Sequence, residues 1–457
     1  MVERLSAHDA ILWHLEKTTA MHTLKLAVVD TSRRGTPLSL GDVHKAVEAN
    51  IDRYPRARQK VVAPRGFGAR PFWVEDDALD VGRHVDERTV EAPGGRREFD
   101  TLLGDIAGQR VPLDRPVWHV TLVHGLEGGR QALVARIHHA ITDGSAAAAS
   151  FEGLTTAEPG EDPEMQPLPK GAPPPRSLAS TAAAEIPRWL FLVPRVVLEG
   201  VAGSRRAKTF RTNAEHLPPA GASAYRDTFL WIPSITDRRL CATASLPLAD
   251  FQTVGRRSGN TVNGVLHAVL AGALRAERLR RGEDPSRPVI AAFGIALDDP
   301  EAPRRRWGNN VTPTYVALHT GETDPLERLR RTAGSAREGV ELRRAVGPDV
   351  TARIGDLLPR VPSLFIRTAK DHIPPAAHLV TANVRGPAKT RWLGDCEVVD
   401  WYSFAVATPP LPLNVTVYSY AGEMNVGVLT VPEQFDDPHT LTDAMAASLA
   451  ELVAETS

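Results

Sequence analysis

Gln131-Ala132-Leu133-Val134-Ala135-Arg136-Ile137-His138-His139-Ala140-Ile141-Thr142-Asp143-Gly144, followed by the small residues Ser145 to Ser150, decides how this chain is read. The first eight residues have the apolar, β-branched character of a strand, and the small-residue run after Gly144 reads as a helix. Neighbouring residues on a strand point to opposite faces, so His138 and His139 occupy different environments. That argues against one metal held by both, and for one histidine fixing the loop while the other faces a cavity. A neutral imidazole accepts a proton near pH 7, as a general base must. Asp143, at the helix start, is placed to cap the helix or to hold an arginine, and Gly144 leaves room for close backbone or ligand approach.

Working outward, Val117 to Leu126 is a second strand candidate, and the glycines between Gly125 and Gly129 make it a hairpin with Gln131 to His138. Leu40, Val43, Val47 and Ile51 line one face of a helix that Ser39 can cap. In the second half, Val262 to Leu274 carries a broad apolar helix face, Val289 to Leu297 is an apolar strand candidate, and Leu413 to Tyr420 with Met424 to Val431 form another hairpin. The class is mixed α/β. Seven prolines between Ala157 and Arg176 mark an extended linker. The organisation read from this is an N-terminal domain over 1–156, a Pro-rich linker and apolar crossover over 157–224, and a C-terminal domain over 225–457.

Composition excludes several classes. The 457 residues carry 54 Lys+Arg against 55 Asp+Glu, which gives no electrostatic reason to bind nucleic acid. Two cysteines, Cys241 and Cys396, make neither a disulfide framework nor a four-cysteine zinc site and fit a reducing cytoplasm. The richest apolar run, Ile186 to Leu198, is interrupted by Pro187, Arg188, Pro194 and Arg195, and a membrane span needs about 20 mostly apolar residues. With Gly203 as its end, this segment reads either as a helix docked on the core or as one resting on a lipid surface, peripheral at the inner membrane face. There is no phosphate loop of the Gly-x-x-x-x-Gly-Lys type and no Gly-x-Ser-x-Gly elbow, and Pro71 breaks the dinucleotide pattern begun at Gly66-Phe67-Gly68.

The string from His138 to Gly144 resembles the His-His-x-x-x-Asp-Gly motif of the coenzyme A-dependent acyltransferase superfamily. The whole chain resembles more narrowly the bacterial wax ester synthase/diacylglycerol acyltransferase family. Leu5-Ser6-Ala7-His8-Asp9-Ala10, Thr19-Ala20-Met21-His22 and Arg115-Pro116-Val117-Trp118 are similar to its first half. Gly308-Asn309-Asn310-Val311, Asn383-Val384-Arg385-Gly386-Pro387 and Leu413-Asn414-Val415-Thr416 follow in the expected order. Two departures stand out: Asn263-Gly264 replaces the family's Asn-Asp pair, and its Pro-Leu-Asn…Arg-Arg segment is missing around Leu230 to Arg239. Both bear on acceptor choice rather than on acyl transfer.

The resemblance implies two chloramphenicol-acetyltransferase-like domains with a tunnel at their interface and the motif at its middle. It implies His139 as general base, with His138, Asp143 and Gly144 completing the catalytic motif and Asp143 paired to an arginine. Acyl-coenzyme A is then a cosubstrate, with no bound cofactor and no metal. The partner is a hydroxyl acceptor, a fatty alcohol or diacylglycerol, and contact with a membrane or lipid droplet is left open. Asn263, Asn414 and Thr416 carry groups that could polarise a carbonyl or bind substrate; each also fits as a turn, cap or strand-pair residue. Two other readings remain beside this one: the same chemistry on a specialised-metabolite hydroxyl or amine, and a non-catalytic lipid- or acyl-coenzyme A-binding protein.

Overall fold

The computed structural model describes residues 2–63, 70–163, 186–218, 226–299, 301–347 and 377–457. Most of the proline-rich run, Gly66-Phe67-Gly68 and Tyr225 lie outside them. The chain begins β1 (Val2–Arg4), α1 (Ala7–Leu15), β2 (His22–Asp30), α2 (Leu40–Asn50), β3 (Gln59–Val62), β4 (Phe72–Glu75) and β5 (Val85–Thr89). It continues α3 (Arg96–Gly108), β6 (Trp118–His124), β7 (Gln131–His138), α4 (Gly144–Leu154) and α5 (Ile186–Asn213). Then come β8 (Leu240–Pro247), α6 (Leu248–Ser258), α7 (Val262–Arg280), β9 (Val289–Ala296), β10 (Val311–Leu318) and α8 (Pro325–Val346). Last are β11 (Leu379–Arg385), β12 (Arg391–Leu393), β13 (Cys396–Phe404), β14 (Asn414–Tyr420), β15 (Glu423–Thr430) and α9 (His439–Glu455).

Local chemistry accounts for the elements that the sequence announces. Ser39 and Asp42 form a reciprocal capping box at the start of α2. β6 and β7 pair antiparallel, with Trp118 opposite Ile137, across a loop in which Gly125, Gly128 and Gly129 all have positive φ. The β14–β15 hairpin turns on Ala421 and Gly422, both at positive φ, a geometry whose twist suits a two-residue reversal.

Two mixed six-stranded sheets result, ordered β12-β13-β2-β7-β6-β5 and β10-β9-β11-β14-β15-β8, with β1, β4 and β3 in a small third sheet. The first sheet draws strands from both sides of the 157–224 segment: β13 lies antiparallel to β2, with Trp401 opposite Ala27 and Ser403 opposite Lys25. The second sheet packs α6, α7 and α9 through residues such as Phe251, Val269, Val417, Val428 and Met445. Between the two halves, Ala27, Val29 and Ala148 meet Trp401, Tyr418 and Tyr420. That seam brings the motif loop against the second sheet.

The helix over Ile186–Asn213 contains Pro194 and ties to the end of α8, where Arg206 Nη2 donates to the Val346 carbonyl (2.8 Å). Its Val197, Leu198 and Val201 are exposed. No helix among the described residues is long and apolar enough to cross a membrane.

Candidate active site

β7 ends at His138 and His139 opens the turn after it, and the two histidines meet different surroundings. His138 is fully buried. Its Nδ1 accepts from the Ala140 N–H (3.1 Å), which leaves the ring proton on Nε2, 3.5 Å from Glu16 Oε2. Trp13 packs over it with ring centroids 5.4 Å apart. Burial pushes the His138 pKa down to about 3, with His139 and His22 adding to the effect, so it stays neutral and structural in its contacts. Glu16 also accepts from the Met21 N–H and faces Arg110 (3.5 Å), and burial raises its pKa.

His139 points the other way. Its N–H donates to the Met21 carbonyl (2.7 Å), and its own carbonyl accepts from Asn309 Nδ2 (2.7 Å). The same amide nitrogen donates to buried Asp9 Oδ1 (2.7 Å), so one asparagine clamps α1 to the histidine loop. Nδ1 is buried, with only its own backbone carbonyl to support it among the described residues. The residue is half-buried. Burial lowers its pKa to about 4, Lys25 and His8 push it further down, and Asp143 opposes them. At neutral pH the ring is uncharged, with a lone pair free to take a proton.

Asp143 performs both roles open to it in the sequence. Oδ1 accepts from the Ala146 N–H (2.9 Å) as the cap of α4, and Oδ2 accepts from Arg305 Nη2 (2.7 Å) and the Asn310 N–H (2.9 Å). Arg305 is shared with Asp298 (3.1 Å), and both acids raise its pKa against the lowering effect of burial. The Asp143 N–H donates to the Gly308 carbonyl (3.2 Å), and Gly308 N–H donates back to Ile141. The segment quoted as Gly308-Asn309-Asn310-Val311 is therefore the bracket of the motif loop. Gly144 sits where an added Cβ would lie 2.7 Å from Val384 Cγ2 and 3.4 Å from the Tyr418 hydroxyl.

Along β14 the side chains of Asn414, Thr416, Tyr418 and Tyr420 share one face. Tyr418 donates to the Gly144 carbonyl (3.2 Å), which turns this face toward the motif. Thr416 Oγ1 donates to Asn414 Oδ1 (2.7 Å), leaving the fully buried Asn414 Nδ2 without a partner among the described residues. Asn263 is not brought to this face. It begins α7 on the other side of the sheet, where its Oδ1 accepts from Asn383 Nδ2 (3.3 Å). Gly264 beside it lies against α8, and a Cβ there would stand 2.9 Å from that of Ala333. The Asn263-Gly264 departure thus answers to helix packing.

Sequence reasoning did not single out Glu16, Lys25, Arg305 or Tyr418, and it reached Asn309 only within the family-like segment Gly308 to Val311. Only the family-like segments around Asp9 and Asn309 pointed near them. No cluster of three or more metal-ligating side chains occurs among the described residues. A separate polar pocket of about 440 Å³, lined by Glu152, Gly153, Arg304, Arg306 and Arg391, opens at the far end of α4.

A sequence profile of the wax ester synthase/diacylglycerol acyltransferase catalytic domain matches residues 5–266, and one of the family's C-terminal domain matches residues 307–453. The chain belongs to the wax ester synthase/diacylglycerol acyltransferase family. Two Mycobacterium tuberculosis proteins assigned as diacylglycerol O-acyltransferases are 32% and 30% identical to it, over 99% of this chain and 96% and 97% of theirs. Among solved structures, the wax ester synthase/diacylglycerol acyltransferase of Marinobacter aquaeolei VT8 superposes with a TM-score of 0.70 at 20% identity, covering 99% of both chains. The trichothecene 15-O-acetyltransferase of Fusarium sporotrichioides gives 0.61 at 13% identity, over 99% of this chain and 95% of that one. These two likenesses are of fold, and they agree with the two-domain acyltransferase architecture implied by the motif.

Proposed function

We propose that this member of the family transfers a fatty acyl group from acyl-coenzyme A to the hydroxyl of a long-chain alcohol or diacylglycerol, with His139 as general base. The observation that carries this reading is the state of His139: uncharged, and pinned through its backbone by Met21 and Asn309 beside the capped motif helix. His139 takes the proton of the acceptor hydroxyl as its oxygen attacks the thioester carbonyl. The tetrahedral oxyanion collapses, the C–S bond breaks with its pair on sulfur, and the histidine returns the proton to give the free coenzyme A thiol. His138 and Asp143 hold the loop in register, which fixes the two reactants relative to the base. Buried Asn414 Nδ2, beside Thr416, is the donor we assign to a substrate carbonyl or hydroxyl. Peripheral contact with a lipid surface falls to α5, whose exposed Val197, Leu198 and Val201 sit among exposed Arg195, Arg205 and Lys208.

The test is coenzyme A thiol release from palmitoyl-coenzyme A with hexadecanol, with diacylglycerol or with no acceptor, for the native chain and His139→Ala. Acceptor-dependent release that vanishes in the variant is expected. Release that persists in His139→Ala removes the base from the mechanism. Saturable donor binding with no release on either lipid acceptor overturns the lipid-ester reading.

A further inference from the structure

One cation enters the seam between the two halves. On β2, Leu24 and Leu26 face α3 through Phe99 and Leu103, whereas Ala27 and Val29 face Ala148, Trp401 and Tyr418. Lys25 falls in the second set by the period of the strand. Its Nζ donates to Ser403 Oγ (2.5 Å) and to the Tyr418 hydroxyl (3.5 Å), and stands 5.4 Å from the Tyr418 ring centroid. Tyr418 passes the connection on to the Gly144 carbonyl (3.2 Å), so the ammonium is two hydrogen bonds from the motif helix.

No carboxylate ion-pairs with Lys25 among the described residues. Asp143, whose charge it feels, is already committed to Arg305, to the Asn310 N–H and to the Ala146 N–H. An ammonium has three N–H donors, and the two hydroxyls account for two of them. Burying a charge without a counter-ion is costly, and an apolar side chain of similar length would serve folding better at this place. Lys25 nevertheless keeps accessible surface at depth, as His139 and His8 do, and its charge acts on His139.

We propose that Lys25 is a further catalytic residue: its ammonium, two hydrogen bonds from the motif helix, offsets the negative charge that gathers on the thioester carbonyl oxygen during transfer. The inference rests on His139 acting as the base. The acceptor oxygen forms its bond to the carbonyl carbon, the acceptor proton goes to His139, and the carbonyl π pair moves onto oxygen, where Lys25 meets it. When the C–S bond breaks, that pair returns to the carbonyl and His139 protonates the departing sulfur. Lys25 gives up no proton at any stage. A fixed cation placed where charge develops in a buried site lowers the barrier with no reorganisation at the moment of reaction.

The test uses pH profiles of kcat and KM for acceptor-dependent release, from pH 6 to 9, with the native chain, Lys25→Met and Lys25→Arg. Burial brings the Lys25 ammonium down to about 8, with Asp143 resisting. The other groups that face it do not titrate in this window: Ser403 and Tyr418 remain neutral, burial holding the tyrosine well above its usual value, and His139 gains charge only near 4. In the native chain kcat is expected to fall as pH rises through about 8. Lys25→Met is expected to lose about tenfold or more in kcat at pH 7, with KM for palmitoyl-coenzyme A within about twofold and no alkaline limb. Lys25→Arg keeps its charge across the range, so its kcat stays within about threefold and the limb disappears. A native-like kcat in Lys25→Met, or an alkaline limb unchanged in Lys25→Arg, overturns the proposal. Should Lys25→Met fail to fold, as read by its melting curve, the limb in Lys25→Arg decides alone. A native chain without acceptor-dependent release defeats the acyl-transfer reading and this inference with it; an active native chain with insensitive Lys25 variants defeats only the inference.

Discussion

Replacing Asp143 by alanine should cost stability and turnover for separable reasons. The carboxylate is 3% exposed and accepts three hydrogen bonds, from Ala146 N–H, Arg305 Nη2 and Asn310 N–H. Loss of the helix cap is worth about 1 kcal/mol. Loss of a charge-assisted bond to a guanidinium is worth about 1.5–3 kcal/mol. Arg305 keeps Asp298 at 3.1 Å, so the guanidinium is not stranded and the upper end of that range is not reached. The expected total is about 3 kcal/mol, a large share of the 5–15 kcal/mol that a folded domain typically has. A cycle of Asp143→Ala, Arg305→Ala and the double variant, followed by denaturant unfolding, should return a coupling of about 2 kcal/mol, with the cap's share surviving in the double variant. Because the same loop carries His139, kcat for acceptor-dependent release should fall about tenfold to a hundredfold in Asp143→Ala. A coupling below about 0.5 kcal/mol would mean that Asp298 satisfies Arg305 unaided, and the electrostatic bracket of the motif would have to be abandoned.

The clasp between α3 and α9 should make stability depend on pH. His439 Nε2 meets Asp100 Oδ2 (2.9 Å) and Nδ1 meets Asp437 Oδ1 (2.8 Å). Burial pulls the His439 pKa down, but the two acids outweigh it and the pKa is raised above 6.5. Its contribution is then complete below pH 6.5 and lost as pH rises through the higher folded value. The native melting temperature should therefore drop between pH 6 and 8.5 by more than that of His439→Gln; equal slopes would rule out the clasp as the titrating element. On β15, Gly427 lies against the Ser403 carbonyl, where a Cβ has no room because the obstacle is backbone. Gly427→Ala should destabilise by about 1–3 kcal/mol in denaturant unfolding, and a value near zero would show that the seam between β13 and β15 yields freely.

Much of the local architecture was legible in the residues. The β6–β7 and β14–β15 hairpins, the capped helix at Ser39 and the helix beginning at Gly144 all follow from alternation, helical spacing and residues suited to turns or caps. The separation of His138 from His139 is local as well, though not by strand alternation: β7 ends at His138, and His139 opens the turn that follows. The motif and its companions were also enough to identify the family.

Tertiary structure decided the rest, because the partners lie far apart in the chain. Asn309 reaches Asp9 across 300 residues and Arg305 reaches Asp143 across 162, and no periodicity carries such a pairing. The same holds for Lys25, an unremarkable strand residue until β13 and β14 place Ser403 and Tyr418 over its ammonium. β12 and β13 join the first sheet although they follow the linker, for a strand's partner is set by which edge remains open, not by proximity in sequence. Asn263 and Asn414 are alike as residues. Only the sheet between them leaves one on its helix side, against Asn383, and the other on the face toward Gly144, since burial and facing are properties of the packed fold.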